Sequence, residues 1–212
     1  MASTPDLIPR ERLAELNRLS DLPAWCRLTS HLLLVVLAGL AWRSEGLPWW
    51  LRLPALVLSG AALATCFAPL HECCHRTAFR SKVTNDRVAW WMGVLSFYNG
   101  TFYRRYHQWH HRYTHQPGLD PELDDPVPTN LWSYALEISG ISWWIGKLQG
   151  YWRLLFADLS SLSYLNAEAI PQVRRSIRLQ FAFYGLLLAL SLPAANGFLF
   201  WSWLLPHWWP SW

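Results

Sequence analysis

Two groups of histidines carry the chemistry of this chain. The first is His71-Glu72-Cys73-Cys74-His75; the second is His107-Gln108-Trp109-His110-His111, with His115 one turn further on. Six of the eight histidines fall between residues 71 and 115. Imidazole is a ligand for iron, zinc and copper, and clusters of it are seldom made for packing alone. On a helix, residues at i, i+3 and i+4 share a face. His71 and His75 form an i, i+4 pair, and His107, His110 and His111 occupy i, i+3 and i+4, so each group can aim its rings at one point. His115 continues that face if the helix persists. Five or six imidazoles exceed what a four-coordinate structural zinc takes and suit a two-metal centre with open positions for oxygen.

The first group also satisfies H-E-x-x-H, in which two histidines bind zinc and the glutamate serves as general base of a protease. Two features count against that alternative. A protease has no need of the second group, and His71 ends an apolar stretch that leads directly into a basic segment. A metal-free reading, histidines at a membrane interface, suits the isolated His31 and His207 better than it suits the two groups.

The elements that must position these residues are membrane-like. Hydrophobic residues make up 52% and charged residues 15% of the chain, against roughly 25% charged in ordinary soluble proteins. The 16 tryptophans favour membrane interfaces, where the ring is half apolar and the N–H stays wet. The net charge of +4 comes without a dense basic tract, which argues against nucleic acid and suits anionic lipid surfaces. The four cysteines read as small apolar residues rather than a disulfide framework. Residues 1–27 are polar and mixed in charge, unlike a cleavable signal.

Residues 28–42 form a first uncharged stretch, about 22 Å as a helix and short of the ~30 Å hydrocarbon core, with Arg27 and Arg43 able to snorkel outward. Residues 53–70 form a second, after a Gly- and Pro-containing turn, which predicts a helical hairpin. Beyond Arg178 the chain carries no formal charge. A break at 193–197 then predicts a second hairpin from spans 177–192 and 197–212. Residues 71–178 hold 12 of the 18 Lys and Arg, and the amino terminus four more, so both face the cytoplasm and the histidines lie on the cytoplasmic side. The apolar stretches 88–103 and 131–156 are expected to lie in the interface; a crossing by 88–103 would separate the two histidine groups. The expected architecture is an all-α, multi-pass membrane protein forming one embedded domain over 1–212, its two transmembrane hairpins topped by a cytosolic, interfacial helical cap that carries the histidines.

With these residues in hand, the chain resembles the integral-membrane fatty acid desaturase superfamily over roughly residues 28–205. The resemblance rests on His71–His75, on His107–His111, on their placement around the hairpins, and on Arg112-Tyr-Thr-His-Gln-Pro-Gly-Leu-Asp-Pro-Glu-Leu-Asp, which follows the second group. It implies a di-iron centre that activates dioxygen with electrons from a ferredoxin or cytochrome b5-type carrier and removes hydrogen from a fatty acyl or lipid substrate. Related members hydroxylate or make ketones on carotenoids or alkanes. By motif match, His71, His75, His107, His110 and His111 would be iron ligands, with Glu72 orienting one imidazole. The family carries a third histidine box after the fourth span, whereas this chain closes on Leu-Pro-His-Trp-Trp-Pro-Ser-Trp212. The expectation is therefore a carboxy-terminally truncated member, with an inactive, non-catalytic remnant as the alternative outcome.

Overall fold

The uncharged stretches become helices that outrun them. In the computed structural model, which describes residues 8–124, 127–191, 197 and 199–208, a short α1 (Arg10–Leu16) precedes α2 (Asp21–Arg43) and α3 (Trp49–Ala64). The described residues are helical with no strand. α2 begins at Asp21, ahead of the uncharged stretch 28–42, because its polar first turns have their own anchor. The Asp21 carboxylate accepts the Arg80 backbone N–H at 2.8 Å, Arg80 Nε donates to the Leu19 carbonyl at 2.9 Å, and Trp25 packs on Phe79.

α2 and α3 pack antiparallel. His31 Nε2 meets the Ala62 carbonyl at 2.8 Å near one end, and Arg52 Nε donates to the Trp42 carbonyl at 3.0 Å near the other. α3 gives way at Thr65, whose hydroxyl back-bonds to the Ala61 carbonyl at 2.7 Å, and resumes as α4 (Phe67–His75). The segments Glu11–Arg43 and Trp49–His75 are long and apolar enough to cross a membrane. Only 11% and 33% of their most apolar windows are buried against protein, unlike the core helix of a soluble domain.

The stretch 88–103 is not one helix. α5 (Lys82–Leu95) and α6 (Gly100–Tyr113) meet at a sharp reversal, with Phe97 in the left-handed region at φ 56° and Asn99 capping α6 by accepting the Phe102 N–H at 3.0 Å. Two glycines make the reversal possible. A Cβ on Gly93 would stand 2.5 Å from the Tyr98 carbonyl oxygen, and one on Gly100 would stand 2.8 Å from the Ala89 carbonyl oxygen. Both obstacles are backbone and cannot step aside. Gly100→Ala is therefore expected to destabilise the fold by about 1–3 kcal/mol as an overpacking change, read as a lower melting temperature in detergent. Gly146→Ala, which meets open space, serves as control.

The stretch 131–156 is likewise divided, into α7 (Leu131–Ile138) and α8 (Ile141–Phe156), with Gly140 at φ 73° between them. α9 runs Ala169–Ser191, beginning ahead of the expected 177 and carrying Arg174, Arg175 and Arg178 before its apolar half. Of the expected last span, a π-helical turn (Phe200–Leu204) and α10 (Leu205–Trp208) are described. Except for Gly197, the expected break at 193–197 lies outside the described residues, as do residue 192 and residues 209–212.

Two apolar clusters sit under the histidine helices. One joins α4, α5 and α6 through Leu70, Cys73, Cys74, Val88, Met92 and Tyr103; the other packs α8 on α9 through Leu154, Val173 and Ile177. Cys66, Cys73 and Cys74 are buried free thiols, whereas Cys26 is exposed.

Candidate metal centre

Each histidine group is presented by a helix whose end is fixed. α4 stops directly after His75 because Arg76 turns left-handed at φ 60° and is clamped to Asp86 by two guanidinium hydrogen bonds of 3.0 and 2.7 Å. The following loop is tied by the buried Asn85, which accepts the Phe79 N–H at 3.1 Å and donates to the Phe79 carbonyl at 2.7 Å. α6 is held at its start by α9: the Asn99 amide donates to Ser176 Oγ at 3.0 Å and to Gln180 Oε1 at 2.9 Å, and Thr101 Oγ1 donates to Ser176 Oγ at 2.9 Å. The Gln180 amide in turn donates to the Tyr98 carbonyl and to the Tyr151 and Tyr184 hydroxyls.

These supports bring His71, His75, His107 and His111 together, with one ligand atom from each lying within 4.8 Å of the others. His107 is the hub. Its Nε2 lies 3.1 Å from His75 Nε2 and 3.0 Å from His111 Nε2, and its ring stacks on Tyr103 at 5.0 Å. His107 Nε2 cannot satisfy both neighbours by proton placement, because a ring nitrogen is either one donor or one acceptor and here it meets two partners. A cation accepting their lone pairs resolves the arrangement. His107 is only 5% exposed; burial, and then the neighbouring His71, His111, His75 and His110, push it from 6.5 down to about 3, which keeps it neutral and fit to ligate. Glu72 Oε1 lies 3.1 Å from His71 Nδ1, placed to fix that ring's tautomer.

His110 stands beside the four. Its Nδ1 meets Asp120 Oδ1 at 2.8 Å, and its Nε2 lies 3.4 Å from Glu122 Oε2. α6 ends at Tyr113, so the shared face does not reach His115, which is left-handed at φ 60° and donates its backbone N–H to Asp120 Oδ2 at 2.8 Å. His31 bonds to the Ala62 carbonyl and His207 to the Trp203 carbonyl, and neither is among the four.

Asp120 and Glu122 are residues to which the sequence pattern gave no role. Asp120 is 2% exposed and caps the 3-10 turn Pro121–Leu123 by accepting the Glu122 N–H at 3.0 Å. Burial pushes its carboxyl up. The hydrogen bonds from His110 and from the Glu122 and His115 backbones outweigh that and hold it at about 2. Glu122 Oε1 reaches within 3.6 Å of His107 Nδ1. The available signal was Asp-Pro-Glu itself, an Asx cap with proline at the first turn position, close behind a histidine group.

A cavity of about 890 Å³ adjoins the site through Tyr103 and Glu122. Phe67, Tyr98, Tyr106, Trp143 and Tyr151 give it an aromatic wall, and Lys147 Nζ lies over the Tyr98 ring, 2.9 Å from its centroid.

The chain is 30% identical to an sn-1 oleoyl-lipid 12-desaturase of Picosynechococcus sp., over 71% of this chain and 44% of the relative. It is 26% identical to an sn-1 oleoyl-lipid 12-desaturase of Arthrospira platensis, over 99% of this chain and 64% of the relative. A sphingolipid delta(4)-desaturase/C4-monooxygenase of Rattus norvegicus is 28% identical over 62% of this chain and 39% of its own length. The chain thus spans about half the length of the curated relatives it matches. No solved structure matches it significantly. The fatty acid desaturase family matches residues 47–212, most of the chain and both histidine groups, so the chain belongs to that family.

Proposed function

We propose that this chain is an oxygen-dependent membrane desaturase acting on the acyl chain of a lipid. The observation that carries the reading is four imidazoles with converging nitrogens beside an aromatic-walled cavity, in a chain of this family. The donor set fits iron: imidazole nitrogens, with the buried His107 held neutral by its depressed pKa and carboxylates behind the His71 and His110 rings. His71, His75, His107 and His111 would hold the metal, and His110, braced by Asp120, adds a fifth donor, more than one closed four-coordinate site takes. Bound iron supplies the oxidising power for breaking an unactivated C–H bond, which no side chain has.

The chain's own residues bind and orient. Phe67, Tyr98 and Trp143 offer the acyl chain an apolar wall, and the cavity's about 890 Å³ is of the size that takes a long chain. Tyr103 seats His107 by ring stacking and, at 3.3 Å, by its hydroxyl on Nδ1. In this reading α2 with α3 and α9 with the last helices form two transmembrane hairpins of a single embedded domain. α4 to α8 form the cytoplasmic cap, and a ferredoxin or cytochrome b5-type carrier delivers electrons there. The rat relative's paired name, desaturase and monooxygenase, favours hydroxylation as the second outcome of the same site.

Expression in a host lacking desaturases, with metal analysis of the purified protein and lipid profiling, tests the reading. Bound iron with new unsaturated acyl chains is the expected result. Iron with hydroxylated lipid would shift the assignment to the second outcome. Zinc at one equivalent without iron would point to the protease alternative, and protein without metal would overturn both.

A further inference from the structure

α6 carries a second polar stripe. Thr101, Arg104, Arg105 and Gln108 follow i, i+3, i+4 and i+7 spacing, a stripe that borders the face carrying His107 and His111. They line a cleft of about 390 Å³, closed by Arg76 at the end of α4 and Gln172 on α9. The charge inside is unbalanced. Among the described residues Asp86 is the only carboxylate on the wall, and both its oxygens are taken by Arg76. Arg104 donates to the Cys74 backbone carbonyl, and Arg105 donates to Gln172 Oε1 at 2.8 Å, so both guanidinium groups rest on neutral acceptors. Burial, and then the nearby Arg76, hold the Arg104 pKa below its ordinary value. Like charges gathered around a cavity repel unless an anion lies between them. Planar guanidinium forks match tetrahedral oxyanions, and the Gln108 amide adds a neutral polar group to the wall.

We propose that this cleft binds a phosphate-class oxyanion, gripped by Arg104 and Arg105 with Arg76 alongside, and that the bound anion ties α4, α6 and α9 together. The source is the headgroup of an anionic phospholipid or free phosphate. The cleft adjoins the histidine cluster through Cys74 and Arg76, which flank His75, but its grip on the anion comes from residues that are not among the four converging histidines.

The test uses the full chain in neutral detergent. Its melting temperature is measured in millimolar potassium phosphate against potassium chloride at matched ionic strength, and in micelles doped with phosphatidylglycerol against phosphatidylcholine. A saturable rise of about 4 °C or more is expected in at least one arm, as for a ligand that binds only the folded state. A rise with phosphatidylglycerol but not with phosphate assigns the headgroup; the reverse assigns the free anion; a rise in both gives a site open to either. Arg105→Gln and Arg104→Gln should lose the rise, whereas Arg112→Gln, outside the cleft, should keep it. Equal melting of the unaltered chain in every pair of conditions would overturn the proposal whatever the variants do. So would a rise that survives Arg104→Gln and Arg105→Gln alike.

Discussion

His107→Ala is expected to reduce bound iron to background, whereas His115→Ala leaves it near the unaltered level, both read by elemental analysis of purified protein. The asymmetry follows from position. His107 Nε2 is the atom that the His75 and His111 nitrogens approach to 3.1 and 3.0 Å, while His115 lies past the end of α6 and contributes only its backbone N–H. Loss of metal must be separated from loss of fold. In metal-free protein, removing the hub relieves the crowding of three Nε2 atoms, so the melting temperature should fall little. A large drop there would mean that His107 serves packing more than ligation. The metal-free protein should also be acid-sensitive. A buried histidine depressed from 6.5 to about 3 leaves stability intact above about pH 6.5 and erodes it toward pH 3, because the unfolded chain takes up the proton first.

Asp120→Asn is expected to weaken metal binding by about 10- to 100-fold, the range seen when a carboxylate behind a ligand histidine is lost. One buried side chain here serves three donors, the His110 ring and the Glu122 and His115 backbones. Asparagine keeps the shape, but its amide offers one acceptor oxygen where the carboxylate offers two. His110 is then free to change tautomer and to turn. Asp124→Asn, on an exposed neighbour, is the control and should bind metal as before. Equal metal affinity in Asp120→Asn and the unaltered chain would remove Asp120 from the site. Competition titration with a chromophoric chelator measures both.

The histidines were legible because helical spacing is a local property. His71 with His75, and His107 with His111, share faces wherever their helices go, and the structure gathers all four. What brings the two helices together is not local. The reversal between α5 and α6 depends on Gly93 and Gly100 clearing backbone carbonyls, which a run of apolar residues does not announce, so 88–103 read as one element. Gly140 divides 131–156 in the same way. α2 extends beyond the uncharged stretch 28–42 because apolarity marks where lipid would begin, while the helix itself reaches to a tertiary anchor between Asp21 and Arg80. Asp120 went unassigned because its importance lies in burial, and burial of a carboxylate appears only once its partners are in place.

The Asn99, Ser176 and Gln180 contacts bear on the order in which the protein is made. Every histidine of both groups has been synthesised by residue 111, yet the partners that fix the start of α6 arrive only with residues 176 and 180. During synthesis, which proceeds from the amino end, the ligands exist for some 70 residues before their scaffold does. In that interval α4, α5 and α6 can already pack on one another through Leu70, Met92 and Tyr103, and α9 then adds the contacts that hold the start of α6.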